Sequence, residues 1–381
     1  MDFQLNEEQA MWQAAVRDFC QNELKPRAAQ TDSEAKLPLD VVKKMAPLGL
    51  LSLPVAEADG GPGLDSISLA LAIEEVGRAC GSTALSIAAH NGLCLGPLVA
   101  YGTSEQKARY LPRLTSGDAL GALALTEPGA GSDLAGGVQT TAIPAGDMWV
   151  INGSKAWITN PSLSPIIITL CRTDREAGNR GFNHIIVPTD APGLSIHPAE
   201  KKMGLKGSPT HMLTYDHVRV PHENLLGASG RGLHQTLATL DSGRISIGAM
   251  AVGLAQAALD EALSYAKERE TFGRPIAQHQ GIQWMLADIS TEIEAARLLV
   301  YQAAWLKDQG QNFNKQAAMA KLFASETAER AAFKAIQIHG GYGYSTEFPV
   351  ERIYRDQRLL TIGEGTSEIL RTVISRRILE A

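Results

Sequence analysis

Apolar positions recur with a helical period in the first and last thirds of the chain and with shorter alternating periods in between. Residues 4–27 carry apolar side chains at helical spacing, and we expect that helix to end at Pro26. The largely apolar stretch 82–100 predicts a buried helix. Thr103 and Gln106 have the spacing of a capping box, which predicts that the next helix begins there.

Short alternating runs bounded by Gly, Pro and Asn occupy the chain from about residue 120 to residue 230. The continuous β-branched run Ile166–Ile168 is typical of a strand buried on both faces. Several strands at this spacing predict a small sandwich or barrel. The predicted strands cover residues 121–126, 148–152, 155–159, 166–171, 184–187 and 212–220.

The helical period returns after Gly232 and persists to the end of the chain. Gly248 and Gly253, with many alanines around them, favour close packing of the first of these helices. The predicted helices cover residues 237–270, 279–307 and 314–339. We therefore predict a segregated α+β fold with an N-terminal α-helical domain (1–120), a middle β-domain (121–230) and a C-terminal four-helix bundle (231–381).

Composition narrows the classes of function. The 381 residues are 44% hydrophobic and 20% charged, as in a globular protein of two or three domains. The net charge is −6 with both signs interleaved, which argues against nucleic-acid binding as the main task. The acidic N-terminus does not resemble a secretory signal, and we expect no membrane span. A cytoplasmic location is expected, or the mitochondrial matrix for a mature eukaryotic form.

Cysteine and histidine positions do not predict a metal site. The four cysteines form no Cys-x-x-Cys pair and are expected to be reduced, mostly buried thiols. His211, His217 and His222 lie close in sequence, and His211 and His217 would share a strand face. No carboxylate completes a plausible ligand set with them.

The segment Ile362–Glu368 is the first candidate for chemistry because it places the Glu364 carboxylate between two glycines. Glycine permits a close approach to a ligand, and the helix predicted just after it offers free N–H groups and a partial positive charge. Glu364 could then act as a general base while its backbone binds a substrate oxygen. Ordinary turn and capping chemistry explains the same segment equally simply.

Four other segments could bind a ligand, although each also has a structural explanation. Leu125–Asp133 is a glycine-rich loop after a strand. Trp157 and Thr159, at the end of another predicted strand, would share one strand face. Arg269–Arg274 combines two cations with Phe272, which suits a phosphate and an adenine. Gln337–Gly343 is glycine-rich at a helix end. Turns, a core tryptophan and helix C-caps are the alternatives.

These segments, in this order and at these distances, resemble the acyl-CoA dehydrogenases over nearly the whole chain. The matching residues are Leu125–Asp133, Trp157–Asn160, Arg269 with Thr271–Gly273, Gln337 with His339–Gly343, and Glu364–Glu368. The resemblance implies a homotetrameric FAD enzyme of fatty acid β-oxidation that passes electrons to electron transfer flavoprotein. Asn160-Pro161 departs slightly from the Asn-Gly that is usual in the family.

The resemblance also implies roles for individual residues. Glu364 is the implied catalytic base, and the family's other base position is occupied here by Gly243. The implied substrate-binding residues are Ser132, Asp241, Arg244 and Gly365. The implied FAD-binding residues are Leu125, Thr126, Gly131, Ser132, Trp157, Ile158, Thr159, Arg269, Thr271, Phe272, Gln280, Gln337, Gly340, Gly341, Thr366 and Glu368. Of these, Arg269, Phe272, Gln337 and Gly341 would bind the ADP half of a flavin held by a neighbouring subunit.

The implied reaction is α,β-dehydrogenation of a saturated acyl-CoA, with Glu364 removing the α-proton. The stretch His90–Pro97 resembles short-chain members, which favours short or branched-short acyl groups. No arginine lies between Gly81 and Tyr101, which argues against a dicarboxylic substrate. An oxygen-using acyl-CoA oxidase and a non-catalytic scaffold of the same fold are the alternatives. Peroxide release would identify the first, and a purified protein without yellow colour the second.

Overall fold

The computed structural model describes residues 4–380. Its N-terminal part is helical, as predicted, and the Thr103–Gln106 capping box is confirmed by both reciprocal hydrogen bonds. The helices are α1 (Glu7–Phe19), α2 (Ala28–Ser33), α3 (Leu39–Met45), α4 (Ser66–Ala79), α5 (Gly81–Ala88), α6 (Gly96–Tyr101) and α7 (Ser104–Thr115).

Helical winding does not end at Pro26, so that prediction was wrong. After α1 the chain passes through a π-helical turn (Cys20–Leu24) and a 3-10 turn (Lys25–Arg27) directly into α2. Pro26 lies in the first turn of that 3-10 segment, where a missing backbone N–H leaves no hydrogen bond unmade.

The apolar stretch predicted as one helix over 82–100 is divided into α5, a π-helical segment (Ala89–Leu95) and α6. Taken together, Gly81–Tyr101 is long and apolar enough to cross a membrane by length and composition alone. Two-thirds of its most apolar window is buried inside the protein (67%), against α9 and the sheet, which is typical of a core helix.

The middle part is a single eight-stranded sheet with the strand order β6-β7-β3-β2-β4-β5-β8, in which β1 also pairs with β4. Ile167 packs into the interior of the β-domain, whereas Ile166 and Ile168 pack against the N-terminal helices, so burial of this strand on both faces is confirmed. The elements are β1 (Ala122–Ala124), α8 (Leu134–Gly137), β2 (Thr141–Ala145), β3 (Met148–Thr159), β4 (Ile166–Arg172), β5 (Phe182–Pro188), β6 (Leu194–Ala199), β7 (Thr210–Pro221) and β8 (Leu225–Leu226).

Two predicted strands, 148–152 and 155–159, are one irregular strand, β3. A second irregularity lies in β7, where His217 has φ +52° and an exposed side chain, while His211 is buried. The expectation that these two histidines share a face was therefore wrong, because a bulge breaks the two-residue alternation.

The C-terminal part is helical, and its longest element runs through the centre of the molecule. A Cβ atom at Gly253 would overlap the backbone carbonyl of Glu74 in α4, so this glycine permits the close helix approach that the sequence predicted. The elements are α9 (Gly232–Glu268), β9 (Glu270–Thr271), β10 (Arg274–Pro275), α10 (Gln280–Asp308), α11 (Asn314–His339), α12 (Pro349–Gln357) and α13 (Ser367–Leu379).

Candidate active site

Glu364 lies in the turn between the 3-10 segment Arg358–Thr361 and α13. Its backbone is left-handed (φ +53°), and Gly365 follows at φ +101°. A non-glycine residue in this region costs about 1–3 kcal/mol, a strain that clusters at functional sites. Thr366 then caps α13 by accepting a hydrogen bond from the Ile369 N–H.

The Glu364 carboxylate occupies the space beside Gly243 in α9. A Cβ atom added to Gly243 would come within 3.0 Å of Oε2 of Glu364, closer than real Cβ atoms approach other atoms. Oε2 is fully buried and accepts no hydrogen bond from the residues that the structure describes. The Glu364 backbone N–H likewise has no partner within residues 4–380. An acceptor and a donor on one residue are thus left free for a ligand.

Burial raises the pKa of the Glu364 carboxyl to about 7. The cations of Lys321 and Arg244 act against this rise, but they do not cancel it. A carboxyl group with this pKa exists as a carboxylate in roughly half of the molecules at neutral pH, which suits a general base.

Arg244 and Asp241 form an ion pair one helical turn apart on α9, with 2.5 Å between Nη1 and Oδ1. The other Asp241 oxygen accepts a hydrogen bond of 2.6 Å from Asn314 on α11. Arg244 is buried, and its Nε donates to no group in the described part of the chain. A Cβ atom at Gly365 would lie 4.0 Å from Nη2 of Arg244, so this guanidinium lies beside the Glu364–Gly365 turn with one donor unused.

The glycine-rich loop after β1 is fastened to β3 by a buried ion pair. Lys155 Nζ lies 2.9 Å from Glu127 Oε1 and donates to the Leu125 carbonyl at the same distance. Glu127 also accepts hydrogen bonds from the backbone N–H groups of Gln139 and Thr140. The loop is thereby held beside the end of β3.

That end of β3 presents Trp157 outward. Trp157 has a left-handed backbone (φ +60°) within a bulge, and its side chain is 62% exposed. Ile158 points into the sheet interior, whereas Thr159 is half-buried. An exposed indole held by strained backbone is a platform for a planar ligand.

Polar groups around this platform lack partners within the protein. The hydroxyls of Thr126, Ser132 and Thr159 make no hydrogen bond to other side chains or backbone within residues 4–380. A Cβ atom at Gly131 would meet nothing within 4 Å, so a ligand could approach the backbone there. The Ala156 N–H also donates to the Thr126 carbonyl at 2.9 Å, so the structure brings together the segments 125–133 and 157–159, as the resemblance implied.

A second cluster of predicted residues surrounds the β9–β10 hairpin. Phe272 and Gly273 form its two-residue turn with φ of +53° and +76°, and the Phe272 side chain is 96% exposed. The Arg269 guanidinium lies 5.8 Å from the centre of the Tyr342 ring, which links the hairpin to the turn after α11. The remaining residues of the cluster, all exposed or half-buried, are Thr271, Gln280, Gln337, Gly340 and Gly341.

The two clusters are far apart within one chain. Gly243 lies beside Glu364, whereas Arg269 ends the same helix, α9. At 1.5 Å per residue these two positions are separated by about 40 Å along the helix axis. One chain therefore does not bring the Arg269 cluster to the Glu364 site.

Thr366 and Glu368 border a surface cavity of 430 Å³ outside the base turn. Its lining combines three acidic side chains with three arginines, Arg330, Arg358 and Arg371. Glu368 is exposed, and hydrogen bonds to its own backbone N–H and to Thr366 at the helix start lower the pKa of its carboxyl.

The sequence reasoning missed Lys321, which is fully buried and donates to the Gly365 carbonyl at 2.7 Å. The sequence nevertheless contains a pattern that predicts burial of Lys321. Small residues recur every three or four positions along α11, and Lys321 falls on that buried face. The other members of the face are Ala317, Ala320, Ala324, Ala328 and Ala331.

No cluster of three or more His, Cys, Asp or Glu side chains suited to a metal ion occurs within residues 4–380. His211 instead bonds Ser162 and the His197 carbonyl. His222 packs against Trp149 at 4.8 Å between ring centres. The four cysteines, Cys20, Cys80, Cys94 and Cys171, are free and buried.

Comparison with known proteins assigns the chain to a family. The acyl-CoA dehydrogenase N-terminal, middle and C-terminal domains match residues 6–118, 122–218 and 230–379. The chain therefore belongs to the acyl-CoA dehydrogenase family and is a flavin-dependent oxidoreductase. It has the N-terminal helical, middle β and C-terminal helical architecture of that family.

Individual relatives agree with this assignment along the full length. The chain is 53% identical over 381 residues to a probable acyl-CoA dehydrogenase, YngJ, of Bacillus subtilis, with 100% of both chains covered. It is 47% identical over 378 residues to the human mitochondrial short-chain specific acyl-CoA dehydrogenase, covering 99% of this chain and 92% of that protein. Butyryl-CoA dehydrogenase from Megasphaera elsdenii has a TM-score of 0.96, with 39% identity and 100% of both chains covered.

The residues present fit the cofactor of this family. The exposed Trp157 indole offers a face for a planar ring, and the free hydroxyls of Thr126, Ser132 and Thr159 offer hydrogen bonds to its edge. Gly340 and Gly341 face open space in the second cluster, where a diphosphate could approach the backbone.

Proposed function

We propose that this chain catalyses the FAD-dependent α,β-dehydrogenation of a saturated acyl-CoA thioester to the trans-2-enoyl-CoA, with Glu364 as the base. The observation that carries the proposal is the Glu364 carboxylate itself. It is buried beside Gly243, its Oε2 has no protein hydrogen bond within residues 4–380, and its pKa is raised to about 7.

The Glu364 carboxylate would remove the α-proton of the substrate. The Cα–H bond breaks, and an enolate forms. The backbone N–H of Glu364, which has no partner among the described residues, would donate to the thioester oxygen and stabilise the charge that develops there. An acyl chain that expels water from this site would raise the basicity of the carboxylate further. FAD, when bound, would accept the β-hydrogen as a hydride, which leaves the α,β double bond.

The flavin ring would be held by two segments of one subunit, Leu125–Ser132 and Trp157–Thr159. Thr366 and Glu368, near the base, would also contact FAD. The cluster of Arg269, Thr271, Phe272, Gln280, Gln337, Gly340 and Gly341 would hold the ADP half of a flavin in a neighbouring subunit. The separation of about 40 Å between Gly243 and Arg269 along α9 supports this division, because a flavin whose ring lies beside Glu364 would be out of reach of the same chain's Arg269 cluster.

We propose a homotetramer because each flavin would be held by two subunits. Apolar side chains exposed on the C-terminal helices support the same proposal. Trp284, Leu298 and Trp305 of α10 are 62%, 45% and 48% exposed, and they are spaced by multiples of seven residues. This spacing places them along one helix face, which is typical of a surface that packs on another subunit. Each subunit would comprise three domains, residues 1–120, 121–230 and 231–381.

We propose a short or branched-short acyl substrate. The π-helical segment Ala89–Leu95 packs against α9 close to the base. A Cβ atom at Gly92 would lie 3.9 Å from Ser246 Oγ, and Ser246 is one helical turn from Gly243. A segment packed against α9 one helical turn from Gly243 would limit the depth available to a long acyl chain. The short-chain specific and butyryl-CoA relatives support the same preference.

Electron transfer flavoprotein is the proposed acceptor, and Ser132, Asp241, Arg244 and Gly365 are the proposed contacts to acyl-CoA. These assignments rest on family membership. A cytoplasmic location is proposed on the same ground, from the bacterial relatives.

Replacement of Glu364 by glutamine tests the base. Glu364→Gln should retain FAD and bind acyl-CoA, yet fail to bleach the flavin absorbance under anaerobic conditions. Glu347→Gln, an exposed glutamate outside the site, is the matched control and should bleach normally. Normal bleaching by Glu364→Gln would exclude Glu364 as the base.

Two further measurements test the substrate and the acceptor. A rate profile over straight and branched acyl-CoA lengths should peak at short chains, and a maximum at medium or long chains would reject the short-chain assignment. Stoichiometric hydrogen peroxide release, with no reduction of a one-electron acceptor, would favour an oxidase over a dehydrogenase.

A further inference from the structure

Lys321 is a fully buried cation in the middle of α11. Its backbone faces α9, where a Cβ atom at Gly248 would lie 3.6 Å from the Lys321 Cα. The absence of a side chain at Gly248 therefore lets the two helices approach closely at this level. Burial of an ammonium group is costly, so its position needs a compensating interaction.

That interaction is with the turn that carries the base. Lys321 Nζ donates to the Gly365 carbonyl at 2.7 Å. The N–H groups of Ile362 and Gly363 donate to the Leu359 carbonyl a few residues back, and the Thr366 carbonyl accepts from Leu370 in the helix that follows. Within residues 4–380, the Lys321 ammonium is the one side chain that hydrogen-bonds the backbone of residues 362–366.

The turn requires such a restraint because it is strained. Glu364 and Gly365 are consecutive left-handed residues, and for Glu364 this conformation is unfavourable. A strained conformation persists only when its surroundings fix it. A cation bonded to the carbonyl of the next residue fixes the direction of the Glu364 backbone N–H and side chain together.

We propose that Lys321 is a positioning residue for the base: its ammonium holds the Glu364–Gly365 turn in the left-handed conformation and sets the charge balance of the Glu364 carboxylate. The inference rests on the proposed role of Glu364 and adds a residue that supports it from α11.

Charged side chains from several elements around Glu364 affect the pKa of its carboxyl group. Lys321 on α11 and Arg244 on α9 favour the ionised form of Glu364. Arg244 is partly neutralised by Asp241, while Glu326 and Glu368 act on Lys321. Burial lowers the pKa of Lys321 to about 8, so the ammonium form prevails at pH 7. Loss of this cation must therefore raise the pKa of Glu364.

Lys321→Met tests the proposal, because methionine preserves most of the side-chain volume and removes the charge and the donor. With FAD bound, the acidic limb of kcat/KM should move upward by about one pH unit, since loss of an opposite charge shifts a carboxyl pKa by that order. The plateau rate should fall by about tenfold or more through misplacement of the turn. Lys315→Met, on the same helix, is the matched control and should change neither quantity.

Lys321→Gln separates the two contributions and serves also if the methionine variant does not fold. Glutamine can donate to the Gly365 carbonyl without a charge, so it should recover plateau rate but keep the shifted acidic limb. Exchange of substrate α-hydrogens with D₂O, without any electron acceptor, should slow in parallel with the plateau rate. An unshifted acidic limb and normal α-hydrogen exchange in a folded Lys321 variant would overturn the inference.

The failure of this inference differs from failure of the proposed function. If Glu364 is not the base, Glu364→Gln will still exchange the substrate α-hydrogens. If Glu364 is the base but Lys321 has no positioning role, Glu364→Gln will abolish exchange while the Lys321 variants retain the normal profile.

Discussion

Gly243 and Glu364 share one space, since the carboxylate of Glu364 fills the volume that any side chain at 243 would need. The Glu364 carboxylate, which is the proposed base, and a side chain at position 243 therefore exclude one another by steric contact. Residue 243 must be a glycine for the Glu364 carboxylate to occupy this space.

Gly243→Ala should consequently displace the Glu364 carboxylate. We expect kcat/KM to fall by about 100-fold, because misplacement of a catalytic group by 1 Å can cost that factor. FAD content should remain normal. Gly281→Ala on α10, where an added Cβ meets nothing within 4 Å, is the control and should leave the rate unchanged. An unaffected Gly243→Ala enzyme would contradict the steric relationship.

The rate should depend on pH through Glu364. Because burial raises its folded-state pKa to about 7, the carboxylate is scarce at pH 5.5 and prevails at pH 8.5. We expect kcat/KM to rise with pH and reach half its plateau near pH 7, as it reports the free enzyme. An acidic limb centred near 4.5 would show instead that the base is solvated.

Breaking the Lys155–Glu127 pair should destabilise the fold and release the glycine-rich loop beside Trp157. Both side chains are buried, so Lys155→Met leaves an unpaired carboxylate and should cost about 3–5 kcal/mol of unfolding free energy. Denaturant unfolding and FAD content measure the two effects.

The double variant Lys155→Met/Glu127→Leu provides the control for that pair. It removes both charges and should recover part of the lost stability, since well-packed apolar replacements of buried ion pairs are often neutral. Additive losses from the two single variants would contradict a direct coupling between these residues.

Phe272→Asn should separate local stability from cofactor binding. Asparagine tolerates the left-handed conformation and, before Gly273, gives the Asn-Gly turn favoured in two-residue hairpins. We expect unchanged or higher thermal stability of the apoprotein, with weaker FAD binding or subunit association. Analytical ultracentrifugation and flavin titration measure these properties. Met11→Asn, an exposed apolar position on α1, should alter neither.

Local patterns predicted much of the fold because they depend on local chemistry. The helix 314–339 and the Thr103–Gln106 capping box follow from periodicity and side-chain spacing, and both are confirmed. Strand β2 was missed because Pro144 interrupts its pattern, and β6 because it is a largely exposed edge strand.

The site was less accessible to sequence reasoning, because its geometry arises from contacts between distant elements. The family resemblance implied positions 364 and 243 as alternative places for the base, but it did not show that the Glu364 carboxylate fills the space beside Gly243. It could not reveal the left-handed backbone of Trp157, which depends on a bulge in β3. The small-residue face of α11 could have marked Lys321 as buried, but the bond from its ammonium to the Gly365 carbonyl depends on how the base turn packs against that helix.

The length of α9 separates the base site from the Arg269 cluster, and this separation has a consequence for how the protein retains FAD. If each flavin is completed by two subunits, as proposed, then cofactor affinity and subunit affinity are thermodynamically linked. Dilution would favour loss of FAD, and added FAD would favour assembly. At a fixed concentration of free FAD, the fraction of protein that is yellow would then depend on the protein's own concentration, whereas in a monomeric flavoprotein it would not.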